Sequence, residues 1–324
     1  MGIRFSFGSM KSFLMAGVAA VGMMMTSLAA EAQTSYYTVT TVDVPGATDT
    51  ALDGINDAGQ IVGYATGPSG AEYGFLDTNG SFARVNDGTL WTQLNGINSA
   101  GKAVGWNELN SGWDNGVIDV GGTFTSLAVP GALSVTGYGI NDAGQIVGTF
   151  YNGSATRGFL ETNGTFATIS VPGSTYTVAN GISDSGVISG WYISGSAYHA
   201  FIDTNGTYTT IDPPGATEAV ARAINSLGQV LVTSSAGLFI EADGGYTAIS
   251  PNVPGATQVY NGINDAGVIV GFYQTSNGTM NGFVATPNGT TTDSVPLPVA
   301  GGTAPGGMLI LGWLGRQIIR RRKA

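Results

Sequence analysis

The sequence contains no cysteine, one histidine and few charged residues. The lack of cysteine excludes disulfides, thiolate metal sites and cysteine nucleophiles, and the single histidine, His199, excludes a site built from several imidazoles. Charged residues make up only 10% of the chain. Because a solvated helix needs charges on its outer face, a mainly helical protein is not expected.

Glycine is abundant, at 52 of 324 residues, against a usual share of about 7%. No Gly-X-Y period accompanies it, so a collagen helix is excluded. Hydrophobic residues account for 43% of the chain and aromatic residues for 10%. This composition is sufficient to bury a core and is not that of a disordered chain.

The first 32 residues have the three parts of an export signal. Arg4 and Lys11 precede a mainly apolar stretch over residues 13–30, and Ala30 and Ala32 place small residues at the spacing that signal peptidase needs. The pattern predicts a cleaved signal peptide over residues 1–32. An uncleaved membrane-anchoring helix is the alternative.

The last 30 residues, 295–324, form a second terminal signal. A four-residue motif precedes a glycine-rich spacer, an apolar run over residues 308–319 and a basic cluster. An apolar segment followed by cations is the arrangement of a stop-transfer end, but twelve positions are fewer than the roughly twenty that a helix needs to span a bilayer. We therefore expect transient inner-membrane association, with a simple basic tail as the alternative. The motif and the cluster are Val295, Pro296, Leu297, Pro298, Arg320, Arg321 and Arg322.

This C-terminal arrangement resembles the VPLPA subclass of PEP-CTERM sorting signals, with Val299 where that family usually has alanine. The resemblance implies that a membrane protease, exosortase, removes the tail and sends the protein to the cell exterior.

Between the two terminal signals the chain is strongly acidic. Residues 33–294 contain twenty carboxylates and four cations, which gives a net charge of −16. The cations are Arg84, Lys102, Arg157 and Arg222. Such a body repels nucleic acid and anionic lipid, so we expect no nucleic-acid partner.

Residues 33–294 consist of six repeats. The phrase Gly-Ile-Asn-Asp-x-Gly-x-Ile-Val-Gly begins at Gly54, Gly139 and Gly262, and weaker copies lie between. A period near 42 suits propeller blades or helical arrays. The isoleucine of the phrase lies at positions 55, 97, 140, 182, 224 and 263.

The pattern inside each repeat favours strands. No repeat has a helical stripe of ten residues, and each has four short β-prone runs joined by an Asn-Asp-x-Gly turn, a polar loop and a hairpin turn. Asn-Gly between such runs is a strong hairpin signal. The sequence therefore predicts an all-β, six-bladed β-propeller of four-stranded antiparallel blades. The hairpin turns are expected at residues 79–80, 163–164, 205–206, 243–244 and 288–289.

The mature chain opens on a fourth-strand pattern, residues 36–44, and the sixth repeat has only three strands of its own. We therefore predict that the N-terminal strand completes the last blade and leaves no free edge. An open β-array is the alternative.

The repeats resemble the HAF family of extracellular repeats, whose phrase Ile-Asn-Asp-x-Gly-x-Val-Val-Gly is followed by His-Ala-Phe. The three-letter signature is intact once, as His199-Ala200-Phe201. The resemblance covers about 260 residues and implies an exported protein without an assigned chemistry.

Several residues are candidates for a site. The turn aspartates suggest calcium, which takes six to eight oxygen ligands, but capping of the turns explains them better, and no cofactor is expected. Exposed tryptophans can stack on sugars, although they can equally fill the blade cores. The aspartates are Asp57, Asp142, Asp184 and Asp265, and the tryptophans are Trp91, Trp106, Trp113 and Trp191.

An enzyme is the less favoured interpretation. A sialidase-like site needs converging arginines, and the three arginines of the body are expected to lie apart. A glycosidase needs two carboxylates beside the sugar bond, and no such pair can be read from the sequence.

The favoured function is therefore a monomeric, exported binding or structural module of the cell surface or extracellular matrix. Its expected partners are signal peptidase, an exosortase-like enzyme, and an extracellular polysaccharide or surface protein. The alternatives are a glycan-active hydrolase that uses the central funnel and a calcium-stabilised adhesin.

Overall fold

A computed structural model describes residues 35–290 except positions 87, 90, 109–111 and 256. These residues form 24 strands, and within the described ranges no helix could cross a membrane. The signal peptide predicted over residues 1–32 and the sorting signal predicted over residues 295–324 lie outside the described residues.

The strands form six blades of four antiparallel strands, which confirms the predicted six-bladed β-propeller. Blade 1 contains β2 (Asp49–Ile55), β3 (Ile61–Thr66), β4 (Glu72–Thr78) and β5 (Ser81–Val85). Blade 2 contains β6 (Thr92–Ile97), β7 (Lys102–Glu108), β8 (Asp114–Val120) and β9 (Thr123–Leu127). Blade 3 contains β10 (Ser134–Ile140), β11 (Ile146–Tyr151), β12 (Thr156–Thr162) and β13 (Thr165–Ile169).

The other three blades repeat this order. Blade 4 contains β14 (Tyr176–Ile182), β15 (Ile188–Ser194), β16 (Ala197–Thr204) and β17 (Thr207–Thr210). Blade 5 contains β18 (Ala219–Ile224), β19 (Val230–Ser234), β20 (Gly237–Ala242) and β21 (Gly245–Ile249). Blade 6 contains β22 (Thr257–Ile263), β23 (Ile269–Gln274), β24 (Met280–Thr290) and, from the start of the chain, β1 (Ser35–Val42).

The N-terminal strand closes the ring as predicted. Strand β1 pairs antiparallel with β24, in a register that places Val39 opposite Ala285 and Val42 opposite Gly282. A chain that began and ended within separate blades would leave a strand edge unpaired, so this pairing joins the two ends of the propeller in one sheet.

Four of the predicted hairpin turns have the expected geometry. Asn79, Asn163, Asn205 and Asp243 have φ between 50° and 54°, and each is followed by a glycine with φ between 80° and 85°. Positive φ at both central residues is the signature of the type I′ turn, whose twist matches that of the flanking strands.

The fifth predicted turn, at Asn288 and Gly289, was wrong. Strand β24 continues through both residues to Thr290, and Pro287 pairs with Tyr37 of β1. The Asn-Gly dipeptide forms no hairpin turn here because the fourth strand of blade 6 comes from the other end of the chain.

The core lies between the blades and explains two parts of the repeat. The phenylalanines of the third strands, Phe75, Phe159, Phe201 and Phe283, are fully buried. In blades 3, 4 and 6 the glycine of the second strand lies beneath this ring, where an added Cβ would be within 3.0 Å of the phenylalanine and would overlap a carbonyl oxygen of the first strand. Glycine at that position therefore lets the aromatic ring pack directly on the sheet.

The asparagine of the Ile-Asn-Asp phrase links neighbouring blades. Its side-chain amide donates to the backbone carbonyl of the equivalent residue in the next blade, at 3.0–3.3 Å. The series passes around the propeller and includes the contact from Asn264 to Asn56 that joins blade 6 to blade 1. Blade 4 has Ser183 at this position, and its hydroxyl bonds within its own turn. The donors are Asn56, Asn98, Asn141, Asn225 and Asn264.

Candidate functional site

A cavity of about 150 Å³ lies on the central axis, and the first strand of every blade contributes to its wall. Most lining residues belong to a three-residue segment that ends at the isoleucine of the repeat, such as Asp53 to Ile55 in blade 1. The repeat phrase therefore builds the cavity as well as the turns.

A β-bulge precedes the glycine or alanine of each of these segments. In blade 1 the pairing with β3 passes from Leu52 directly to Gly54, which leaves Asp53 without a partner in the ladder, and the other five blades show the same shift. A bulge turns a side chain away from the regular alternation of the strand. The six bulged residues, all of which line the cavity, are Asp53, Asn95, Tyr138, Asn180, Arg222 and Asn261.

Three of the six are asparagines, and they alternate with the other three around the ring. The amide nitrogen of Asn95 donates to the carbonyl of Gly137 at 2.8 Å, and that of Asn180 donates to the carbonyl of Ala221 at 2.7 Å. The amide nitrogen of Asn261 donates to Asp53 Oδ1 at 2.8 Å. Each amide is therefore held by the next blade, and its Oδ1 has no hydrogen-bond partner among the residues that the structure describes.

Asp53 carries the one carboxylate among the residues that line the cavity. Its Oδ1 accepts from Asn261, whereas its Oδ2 is buried and has no hydrogen-bond partner in the described part of the chain. Burial raises the pKa of Asp53 to about 7, and the hydrogen bond from Asn261 opposes this shift. The carboxyl is thus able to accept or to donate a hydrogen bond near neutral pH.

Arg222 provides the positive charge of the cavity. Its Nε donates to Thr233 Oγ1 at 3.0 Å, and no carboxylate of a described residue lies within ion-pair distance of its guanidinium. Burial lowers the pKa of Arg222 to about 10, so the group remains cationic at neutral pH. Arg222 lines the cavity, and its two terminal nitrogens have no hydrogen-bond acceptor among the described residues.

An aromatic cluster lies beside Arg222. Trp191 stacks on Tyr176, with ring centroids 5.2 Å apart, and its centroid lies 5.3 Å from that of Tyr198. Tyr138 packs against the same group. One side of the cavity is therefore aromatic and cationic, while the side formed by blades 6 and 1 carries the carboxylate and an amide.

The four candidate tryptophans have different surroundings. Trp106 and Trp191 lie in second strands and are buried, with 4% and 5% exposed, and of these Trp191 borders the cavity. Trp113 is half-buried and stacks on Tyr151 at 5.8 Å, and Trp91 is also half-buried. Core filling, the alternative that the sequence left open, thus describes the position of Trp106.

Trp106 belongs to a buried polar network at the interface of blades 1 and 2. Its indole nitrogen donates to Gln93 Oε1 at 3.2 Å, and the amide nitrogen of Gln93 donates to Glu72 Oε2 at 3.1 Å. Gln93 also lines the cavity, so this chain of bonds fixes one more polar group on the wall.

The calcium candidates serve as links between blades. Each carboxylate accepts a hydrogen bond from the equivalent backbone N–H of the preceding blade at 2.8–2.9 Å. Within the described residues no three His, Cys, Asp or Glu side chains are grouped as a metal site would require. The four aspartates are Asp57, Asp142, Asp184 and Asp265.

The three arginines of the body lie apart, as expected. Arg84 stacks over the ring of Tyr73 at 4.1 Å, Arg157 donates to the carbonyls of Thr156 and Thr175, and Arg222 lines the cavity. Arg157 lies within β12, and Arg222 lies in the middle of β18.

His199 lies on the third strand of blade 4, away from the cavity wall. Its Nδ1 is 2.7 Å from Asp212 Oδ2, and its ring stacks on Tyr192 with centroids 5.2 Å apart. Asp212 also accepts from the backbone of Ala200. The histidine thus ties β16 to the segment that follows the fourth strand.

The ring of cavity side chains was missed from the sequence, apart from Arg222. A signal was present, because the residue before Gly-Ile or Ala-Ile is polar or aromatic in all six repeats. In a regular strand this residue would lie on the same face as the isoleucine two positions later, and the bulge changes the direction of its side chain.

Comparison with known proteins returns propellers of low similarity. No protein-family model and no curated protein matches the sequence. Among solved structures, the Aleuria aurantia lectin in complex with a fucosyl ligand is 11% identical, with a TM-score of 0.46. The alignment covers 80% of this chain and 100% of the lectin chain. A gluconolactonase from Xanthomonas campestris is 10% identical with a TM-score of 0.49, with 78% and 90% of the two chains covered. TolB from Acinetobacter baumannii is 13% identical with a TM-score of 0.43, with 75% and 55% covered.

Proposed function

We propose that this protein is an exported binding module of the cell surface or extracellular matrix, with its ligand site in the central cavity. The observation that carries the proposal is the set of six bulged side chains. They converge from six blades on one cavity and leave unpaired acceptors and one cationic donor facing it. A cavity with a few convergent polar groups is the usual form of a small-molecule site.

The rigidity of the ring supports binding. The amides of Asn95, Asn180 and Asn261 are each fixed by a bond to the next blade. Side chains that are held in place before the ligand arrives lose little entropy when it binds.

Export is proposed from the sequence alone. Residues 1–32 would direct secretion through signal peptidase. Residues 295–324 would hold the chain briefly at the inner membrane until an exosortase-type enzyme removes them. An extracellular polysaccharide or a surface protein would be the partner of the mature module.

Two measurements test this proposal. Cells that express the full chain and a chain lacking residues 295–324 are fractionated, and only the full chain is expected at the surface or in the matrix. Purified protein is then incubated with extracellular polysaccharide, and we expect it to be retained without a rise in reducing ends. Equal distribution of both chains contradicts sorting through residues 295–324, and no retention on any polysaccharide excludes a polysaccharide as the partner.

A hydrolase is the second candidate because an acid and Arg222 share the cavity. The raised pKa of Asp53 is a property of many general acids. A glycosidase of the usual kind needs a second carboxylate near the first, and the residues that line the cavity include none. If the wild-type protein releases reducing ends from a polysaccharide and Asp53→Asn does not, the protein is a hydrolase and the binding module is replaced by that function.

A further inference from the structure

The groups that face the cavity differ in their hydrogen-bonding roles. Acceptors come from blades 2, 4 and 6, as the Oδ1 atoms of Asn95, Asn180 and Asn261, none of which has a partner within the described ranges, whereas Asp53 Oδ2 in blade 1 also has no partner but is buried. The donors with a positive charge come from Arg222 alone. A complementary ligand therefore presents several donors and one anionic group.

The guanidinium determines the kind of anion. Arg222 uses Nε for Thr233, which leaves its two terminal nitrogens for a planar, two-point contact of the type that a carboxylate makes. The cavity also contains Asp53, and the body has a large negative charge. A monoanion leaves the cavity closer to neutrality than a dianionic phosphate ester does.

The size of the cavity and its walls determine the rest of the ligand. About 150 Å³ is comparable to a cavity that holds one six-membered ring. Val220 and Val259 contribute apolar wall to the cavity, against which the C–H groups of a sugar ring can pack. Hydroxyl groups on such a ring supply the donors that the amide oxygens need.

We propose that the cavity binds a sugar acid of the uronate type, with its carboxylate on Arg222 and its hydroxyls on Asn95, Asn180 and Asn261, the last of which is held in place by Asp53. This inference rests on the proposed function, since it names the ligand class of the same cavity. A hard cation on the oxygen ligands is the competing occupant, and the guanidinium in the same cavity repels it.

Calorimetric titration and thermal melting of the full chain test the inference. The probes are sodium glucuronate, glucose, glucose 6-phosphate and calcium chloride. Glucuronate is expected to bind at least tenfold more tightly than glucose or glucose 6-phosphate. Arg222→Met should reduce glucuronate binding at least tenfold, and Asp53→Ala should weaken binding of glucuronate and glucose alike. The matched control, Arg157→Met, removes a cation from the outer part of blade 3 and should leave binding unchanged.

The outcomes separate the ligand class from the proposed function. The sugar-acid inference is overturned if the wild-type chain does not bind glucuronate, or if Arg222→Met binds it as tightly as wild type does. Tighter binding of glucose 6-phosphate than of glucuronate, or binding of calcium without glucuronate, also overturns it. If the protein is still retained on polysaccharide in those cases, the binding module stands and only its ligand class was wrong. A melting curve for each variant shows whether a loss of binding reflects unfolding.

Discussion

One asparagine in five of the six repeats makes contacts both within its own turn and with the next blade. In blade 3, Asn141 Oδ1 accepts from the backbone of Gln145, while its amide nitrogen donates to the carbonyl of Ser183 at 3.1 Å. Both contacts are buried or partly buried, and a lost partner there leaves a polar group unsatisfied. This residue is fixed in the repeat by stability and not by ligand chemistry.

The series is interrupted once, at Ser183, which predicts opposite effects for two substitutions. Asn141→Ala should lower the free energy of unfolding by about 1–3 kcal/mol, because it leaves the N–H of Gln145 unpaired and removes one of the two hydrogen bonds to the carbonyl of Ser183, which keeps the bond from Gly186. Ser183→Asn should raise it by about 0.5–1.5 kcal/mol, because the new amide reaches the carbonyl of Asn225 as its counterparts do. Urea unfolding measures both, with Asn252→Ala in an exposed loop as the control. A destabilised Ser183→Asn variant would show that blade 4 does not fit the pattern of the other blades.

The buried carboxyl of Asp53 predicts a pH-dependent stability. Burial raises its pKa to about 7, from 3.8 in an exposed chain. Between these values the folded state holds a proton that the unfolded state releases, so this group makes stability fall as the pH rises from about 4 to 7. Asp53→Asn cannot lose a proton, and its stability relative to wild type should therefore increase over that interval.

Unfolding of wild type and Asp53→Asn at pH 4.5 and pH 8 checks this sign. The control is Asp243→Asn, at an exposed turn position, for which we expect little change in the difference between the two pH values. If the difference in the free energy of unfolding between wild type and Asp53→Asn is the same at both pH values, the carboxyl of Asp53 is already ionised throughout the interval.

At the scale of elements, the sequence predicted most of the fold but little of the cavity. The blades follow from an in-phase period, and the turns at Asn163 and its equivalents follow from residues that tolerate positive φ. The cavity residues could not be assigned because they differ from one repeat to the next. Asp53, Tyr138 and Arg222 share only a position in a bulge, and a bulge leaves no clear pattern in one strand.

Two identical dipeptides in different elements give a matched test of this point. Asn163 has φ of 50° in a hairpin turn, whereas Asn288 lies in the extended strand β24. A β-branched residue is strained at positive φ and favoured in a strand. Asn163→Thr should therefore cost about 1–2 kcal/mol, and Asn288→Thr should cost less than about 0.5 kcal/mol despite the loss of its bond with Thr38.

Urea unfolding of the two variants checks the prediction, and Asn205→Thr, at the equivalent turn of blade 4, should behave as Asn163→Thr does. Equal costs at positions 163 and 288 would contradict the extended path of β24.

At the scale of the whole molecule, the first strands approach so closely that side chains are excluded between them. An added Cβ on Gly54 would lie 2.7 Å from the carbonyl oxygen of Asn95, and one on Gly139 would lie 2.9 Å from Cα of Gly181. Glycine at this position in five blades, with Ala223 in blade 5, therefore sets how tightly the six blades pack around the axis. The ring has this geometry only while it is closed, which depends on β1.

The register of β1 allows closure to be tested while most pairings of the sheet are kept. Tyr37 pairs with Pro287, and in blade 3 the residues on either side of Asn163 and Gly164 pair in the same way. Joining Gly289 directly to Tyr37 therefore places Asn288 and Gly289 in a two-residue hairpin turn. It keeps the pairings of β24 with residues 37–42 of β1 and removes those of Ser35 with Thr290 and Ile249. A permuted chain that begins at Ala47 and ends with residues 37–46 fused after Gly289 should fold to the same six blades.

The matched control also begins at Ala47 but ends at Gly289, so it lacks β1. It exposes the edge of β24 and the apolar contacts of Tyr37 and Val39. We expect a loss of about 3 kcal/mol or more, which is about 6–12 °C in Tm for a chain of this size, together with faster hydrogen exchange at the β24 amides. The permuted chain should recover both the Tm and the protection, because closure depends on the presence of a fourth strand in blade 6 and not on which end of the chain provides it. Recovery of neither would mean that the connection through residues 43–48 stabilises the ring as much as the strand pairing does.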